Sequence, residues 1–159
     1  MSESESWSAQ REALAVEALR RSGHLRLQVR GESMLPTLWP GDIVEIATCS
    51  AGDLARGDIV LSSRDGRFFL HRFLTAGEHG FTTRGDSMPG PDPAFTADAF
   101  LGRLVRLSRD GRQVEPRWRP WSRMIGLLFC YSSIARRFAL KIRGIAQPHR
   151  LPAIDLETA

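Results

Sequence analysis

Short runs of alternating apolar and polar residues, separated by turn signals, constrain the fold of this chain more than any other feature. In "HLRLQVRG" (24–31), every second residue is apolar, as expected of a half-buried strand. The peptide "SRDGR" occurs twice between such runs, at 63–67 and 108–112, and Asp-Gly favours a two-residue hairpin turn. The sequence therefore predicts a mainly antiparallel β domain over residues 24–117. The further β-type runs are "GDIVEIAT", "GDIVLSS", "RFFLHRFL", "GFTTRG", "FLGRLVRLS" and "RQVEP".

Both flanks of this β region have helical character. Residues from Trp7 to Arg21 are rich in Ala, Leu, Glu and Arg and contain no Gly or Pro, which predicts a short N-terminal helix. From Trp121 to Arg143, apolar residues fall on one helical face and basic residues on the rest. We therefore expect four parts: an N-terminal helical extension (1–23), the β-rich domain (24–117), a basic amphipathic helix (118–145) and a tail (146–159).

The basic helix has two interpretations. Between Arg117 and Arg143 there are seven basic residues and no acidic one. A basic amphipathic helix can lie on an anionic membrane surface, which would give peripheral membrane contact through residues 121–143. It can equally pack on the β domain with its arginines in solvent. The sequence leaves both open.

Composition excludes several classes of protein. The net charge of +4 favours anionic neighbours only mildly, and no aromatic-plus-basic motif predicts a specific nucleic-acid partner. Cys49 and Cys130 lie far apart, and no CxxC or HExxH motif occurs, so we expect neither a metal nor another cofactor. The acidic N-terminus does not resemble a signal peptide, and no apolar run reaches about 18 residues. These features predict a cytoplasmic protein or one peripheral to a membrane.

Two similar segments each carry a serine that could act as a nucleophile. They are "GESMLPTLWPGD" (31–42), with Ser33, and "RGDSMPGPD" (84–92), with Ser87. In the first segment, two prolines and a glycine make a stiff, sharply bent connection between strands. A rigid bend holds a hydroxyl in place and can aim backbone N–H groups at a developing oxyanion. The Pro-Thr-Leu bend follows Ser33 alone, so only the first segment offers this rigid setting, and by itself a serine in a turn is usually only a turn residue.

Three ordered segments resemble the signal peptidase family. "SMLPTLWPGD" is similar to its nucleophile segment, "RGDIVLSS" with "FLHRFL" to the segment that carries the general base, and "TTRGDSMPGPD" to its third segment. The resemblance implies a signal-peptidase or LexA-like antiparallel β domain. It also implies a serine endopeptidase that cleaves a leader or signal-like segment from a precursor polypeptide. An extended substrate would add as a strand, with small side chains next to the scissile bond.

The second segment indicates the subtype. Where bacterial-type members place a lysine base before an arginine, this chain has His71. The pattern therefore resembles the histidine branch, which implies Ser33 as nucleophile and His71 as general base. Asp86 would orient His71 or hold the site together, and Asp92 matches the family's second aspartate. Histidine titrates near neutral pH, so it can take the serine proton and return it to the leaving amine. The other histidines, His24, His79 and His149, match none of the three segments.

Two departures from the family keep other functions open. The family usually has a hydroxyl residue two positions before the nucleophile, where this chain has Gly31, so the oxyanion hole would depend on backbone N–H groups, chiefly that of Ser33. The usual N-terminal membrane anchor is not recognisable either. These departures favour a second interpretation, a catalytically weak or inactive interaction module. A third, a self-cleaving regulator of the LexA type, would need an upstream DNA-binding module and a lysine base.

Overall fold

The protein is mainly β, as the sequence predicts. The computed structural model describes residues 3–116, 124–128 and 141. Within these residues, one helix precedes seven strands, and the strand pairs are antiparallel. The elements are α1 (Glu3–Ser22), β1 (His24–Gln28), β2 (Ile43–Ala47), β3 (Ile59–Arg64), β4 (Arg67–Gly77), β5 (Gly80–Arg84), β6 (Phe100–Arg109) and β7 (Arg112–Val114), with short 3-10 turns at Ala51–Asp53 and Ala97–Ala99.

The strands form one sheet in the order β1-β2-β6-β3-β4-β5, and β7 pairs with the end of β6. Both predicted Asp-Gly hairpin tips are confirmed. Asp65 and Gly66 join β3 to β4 with φ of +53° and +75°, and Asp110 and Gly111 join β6 to β7 with φ of +50° and +76°. A two-residue turn with positive φ at both positions matches the right-handed twist of the strands that it connects.

Each face of the sheet has its own hydrophobic cluster. The larger cluster is mostly aliphatic and includes Ala15 and Leu19 of α1. The predicted helix is therefore present, longer than expected, and it contributes to the main core. It ends at Ser22 and is followed by Gly23, whose φ is +73°. The smaller cluster is aromatic and lies at β4 and β5; it contains Val60, Phe73, Phe81 and Phe95, with Phe69 and Phe100 packed against it.

The predicted C-terminal helix and tail, residues 118–145 and 146–159, lie outside the described residues except for 124–128 and 141. Residues 124–128 form a short helical turn, and residue 141 also has helical conformation. No helix within the described part of the chain is both long and apolar enough to cross a membrane. The predicted membrane contact of residues 121–143 stays a prediction.

The bent connection between β1 and β2, residues 29–42, is anchored at its far end by an ion pair between the buried Asp42 and the partly exposed Arg109. The Asp42 carboxylate is fully buried and accepts hydrogen bonds from Arg109 at 2.7 and 3.0 Å. It also accepts from the backbone N–H of Trp39 at 2.9 Å, and Arg109 donates a further bond to the Thr37 carbonyl at 2.9 Å. The end of β6 therefore fixes the conformation of the connection that carries Ser33.

This anchor predicts a large difference between two arginines of the same strand. Arg109→Met leaves a buried carboxylate without its cation, so we expect it to lower the unfolding free energy by about 3–5 kcal/mol. Arg106→Met is the matched control: Arg106 is 59% exposed and lies 3.3 Å from Glu45, and such surface pairs contribute about 0–1 kcal/mol. Urea unfolding of the two variants measures the difference. Equal losses would show that the Asp42 contact does not hold the connection.

Candidate functional site

The candidate site is organised by two neighbouring residues of β4, His71 and Arg72. Successive side chains of a strand point to opposite faces, so each of the two residues faces a different side of the sheet. Both are buried, at 2% and 5% exposure. The 29–42 connection contributes a partner to each of them, Ser33 to His71 and Thr37 to Arg72.

Ser33, His71 and Asp92 form a continuous hydrogen-bonded series. The Oγ atom of Ser33 lies 2.8 Å from Nε2 of His71, and Oδ2 of Asp92 lies 2.7 Å from Nδ1 of the same ring. Thr83 of β5 donates to Oδ2 of Asp92 at 2.6 Å, which holds the carboxylate against the ring. The structure therefore brings together a hydroxyl, an imidazole and a carboxylate in the order that activates a serine.

The charge of Asp92 sets the roles of the two ring nitrogens. Burial raises the pKa of the Asp92 carboxyl, but the hydrogen bond and charge of His71, the Thr83 hydroxyl and the charge of Arg64 together hold it below its ordinary value. Asp92 is then ionised at neutral pH and can only accept, so Nδ1 of His71 carries the proton that it donates to Asp92. In the neutral ring, Nε2 is left as the acceptor for the Ser33 hydroxyl.

Asp86 has a different set of partners. Arg72 donates to its two oxygens at 2.7 and 3.0 Å, and the Thr37 hydroxyl also donates to it. Arg72 reaches the Thr37 hydroxyl at 3.1 Å and the Gly57 carbonyl at 2.8 Å. Of the two roles predicted for Asp86, orienting His71 or holding the site together, the geometry fits the second. Asp92 occupies the orienting position.

The two serine-containing segments lie against each other. The N–H of Ser87 donates to the Ser33 carbonyl at 2.9 Å, and the Ser87 hydroxyl donates to the Glu32 carbonyl at 2.8 Å. A side chain at Gly85 would place its Cβ 2.6 Å from the Ser33 carbonyl oxygen. Glycine is needed here because the two backbones approach too closely for any other residue. The hydroxyl of Ser87 thus bonds to backbone and joins the two segments.

Residues 124–128 pack against the same pair of segments. A Cβ at Gly126 would lie 2.3 Å from the Asp86 carbonyl oxygen and 3.1 Å from that of Leu35. Leu35 is fully buried. This helical turn therefore lies directly behind the connection that carries Ser33, although the amphipathic pattern of the sequence gives no indication of where the turn packs.

Three supporting residues have no assigned role in the sequence analysis: Thr37, Arg72 and Thr83. Thr83 lies two residues after the buried Phe81, on the same face of β5, and is itself fully buried. A buried hydroxyl needs a hydrogen-bond partner, so a threonine at a buried position of a predicted strand indicates a polar contact in the interior. Arg72 follows His71 directly, and burial of a guanidinium requires a carboxylate, but the sequence alone does not say which one.

Within the described residues, no group of three or more His, Cys, Asp or Glu side chains is arranged to hold a metal ion. Cys49 is a free, half-buried thiol, and burial raises its pKa, so it has the properties of a structural cysteine. Cys130 lies outside the described residues.

Gly85 provides a test of the contact between the two segments. We expect Gly85→Ala to lower the unfolding free energy by about 1–3 kcal/mol, because the new methyl group overlaps the Ser33 carbonyl. Gly90→Ala is the matched control in the same segment, since nothing lies within 4 Å of its Cβ position. Thermal unfolding compares the two variants, and a Gly85→Ala protein as stable as Gly90→Ala would contradict the close approach.

The depressed pKa of Asp92 predicts a pH dependence of stability. A carboxyl whose pKa is lower in the folded state than in the unfolded state stabilises the fold above its unfolded value, about 3.9, and loses this contribution as the pH falls through the folded value. The difference in unfolding free energy between wild type and Asp92→Asn should be constant above about pH 5 and shrink below about pH 4. A difference that stays unchanged down to pH 3 would argue against an ionised, hydrogen-bonded Asp92.

The sequence was also compared with known families and with curated proteins. No family model matches it, and no curated protein matches it either. The resemblance of three segments to signal peptidases therefore stays a prediction, and the geometry of Ser33, His71 and Asp92 is the basis for a proposed function.

Proposed function

We propose that this protein is a serine endopeptidase of the signal-peptidase type, which cleaves a leader or signal-like segment from a precursor by a Ser–His dyad supported by aspartate. The observation that supports this most directly is the series from Ser33 through His71 to Asp92, with contacts of 2.8 and 2.7 Å. In this proposal Ser33 is the nucleophile, His71 the general base and Asp92 the residue that orients the ring. Asp86 binds Arg72 and the Thr37 hydroxyl and so holds the 29–42 connection in place.

The first half of the reaction follows from the proton positions. Nε2 of His71 takes the proton of the Ser33 hydroxyl as Oγ attacks the carbonyl carbon of the scissile peptide bond. Asp92 stabilises the imidazolium that forms. The same Nε2 proton then passes to the leaving amine, the carbon–nitrogen bond breaks, and the new N-terminus departs. Ser33 is left as an ester of the other product.

The second half uses water. His71 takes a proton from a water molecule that attacks the ester, and returns it to Oγ of Ser33 as the acid product leaves. The oxyanion needs backbone donors, because Gly31 offers no hydroxyl. In the described part of the chain, the N–H of Ser33 donates to no protein acceptor and is free for this role.

The position of β1 supports an extended peptide substrate. β1 ends the strand order of the sheet and leads directly into the connection that carries Ser33. A precursor polypeptide that pairs with the outer edge of β1 would run towards the Ser33 hydroxyl. Main-chain hydrogen bonds would then supply affinity, and the residues beside the scissile bond would supply specificity.

A fluorophosphonate probe tests the proposal without a known substrate, because it reacts with activated serines. We expect labelling of the wild-type protein at Ser33, none at that position in Ser33→Ala, and a rate lower by roughly 10²- to 10⁴-fold in His71→Ala. Mass spectrometry of the labelled peptide identifies the serine. Cleavage of a precursor with a signal-like segment gives a second readout.

Ser87→Ala is the matched control, since Ser87 lies in the similar segment and its hydroxyl bonds only to the Glu32 carbonyl in the described contacts. It should still label at Ser33, because the Ser87 N–H keeps its bond to the Ser33 carbonyl and His71 is unchanged. If wild type and His71→Ala react equally slowly, at the rate of an ordinary serine, the protein is an interaction module rather than a peptidase.

A further inference from the structure

The guanidinium of Arg64 lies next to the segment that carries Asp92. Arg64 is the last residue of β3, beside the Asp65-Gly66 hairpin tip. One of its nitrogens donates to the carbonyls of Pro93 and Ala94, at 2.8 and 2.7 Å. The carbon at the centre of the guanidinium lies 3.8 Å from the centroid of the Phe95 ring. The side chain thus contacts the three residues that follow Asp92.

The backbone on the other side of this segment is fixed by β5. Asp92 donates its N–H to the Thr83 carbonyl at 2.9 Å, and Phe95 pairs with Phe81 through bonds of 2.9 and 2.8 Å. Between these two attachments, Arg64 supplies the described hydrogen bonds to the carbonyls of Pro93 and Ala94. Proline has no N–H, so residue 93 cannot add a donor of its own to hold the segment.

Contacts between aromatic rings connect Phe95 to the imidazole of His71. The Phe95 ring stacks on Phe81 at 5.4 Å between centroids and meets Phe69 edge-on at 5.7 Å. Phe69 in turn lies 6.1 Å from the ring of His71. Arg64 therefore covers one face of the buried Phe95 ring, and the ring contacts continue from Phe95 through Phe69 to the imidazole of His71.

We propose that Arg64 is a positioning residue, which holds the 92–95 segment so that the Asp92 carboxylate stays against Nδ1 of His71. The role of Asp92 in catalysis rests on the proposed function, but the contact between Arg64 and the segment does not. Lysine cannot replace arginine here, because a single ammonium on a flexible stem cannot bond two carbonyls and cover a ring together.

The titration of Asp92 gives a readout that a merely stabilising side chain would not change. The charged groups that face Asp92 are His71 from β4 and Arg64 from β3, and both lower its pKa, against the effect of burial. If Arg64 acts only through its charge, Arg64→Lys keeps the Asp92 midpoint and Arg64→Met raises it. If Arg64 positions the segment, both variants raise the midpoint, because Asp92 also loses its bonds to His71 and Thr83.

The experiment follows the Asp92 carboxyl by carbon NMR across pH, assigned with Asp92→Asn, in wild type, Arg64→Met, Arg64→Lys and Arg67→Met. Arg67 pairs with Arg64 across the same hairpin and is exposed, so Arg67→Met is the matched control. We expect both Arg64 variants to move the midpoint up towards the value of a free carboxyl, and the control to match wild type. A wild-type midpoint in Arg64→Lys would overturn the proposal.

Labelling by the fluorophosphonate probe separates this inference from the proposed function. We expect both Arg64 variants to label Ser33 more slowly, by roughly 10- to 100-fold, as for other misplaced catalytic groups. If the wild-type protein does not label at all, the peptidase proposal fails, while the titration still decides the role of Arg64. If the midpoints rise but labelling is unchanged, Arg64 positions Asp92 and the catalytic role of Asp92 is wrong.

Discussion

The site depends first on the buried ion pair between Arg72 and Asp86. Both side chains are nearly inaccessible, at 6% and 7% exposure, and the loss of either partner would leave an uncompensated charge in the interior. The pair draws the Thr37 hydroxyl into the same cluster and so fixes the bend that carries Ser33. Arg72 and His71 are neighbours in β4. The contacts of Arg72 on one face of the strand therefore also restrict the backbone that holds the imidazole of His71 on the other face.

Much of the fold could be predicted from the sequence, because strands and hairpins are local features. Alternating apolar residues identify β1, and the Asp-Gly pairs identify two turns, since few other residues accept positive φ at both positions. The strand order could not be predicted in this way. β6 lies between β2 and β3, far from both in sequence, and nothing in a local pattern specifies that pairing.

The sequence predicted which residues form the candidate site, but it did not predict all the contacts among them. Ser33 and His71 meet as expected, with 2.8 Å between Oγ of Ser33 and Nε2 of His71. The partners of Asp86 and Asp92 were not fixed by the sequence, because the two carboxylates lie six residues apart on one segment. Their assignment depends on the face of β4 that each reaches, which only the three-dimensional register determines.

Trp39 lies within the connection that carries Ser33, and it has a use that its structural role does not suggest. Its indole N–H donates to the Pro36 carbonyl at 2.8 Å, and its backbone N–H donates to the buried Asp42 carboxylate. Indole emission responds to the loss of such bonds and to contact with water. In a protein whose other tryptophans, Trp7, Trp118 and Trp121, are replaced by phenylalanine, Trp39 would act as an optical reporter of the conformation of this bend.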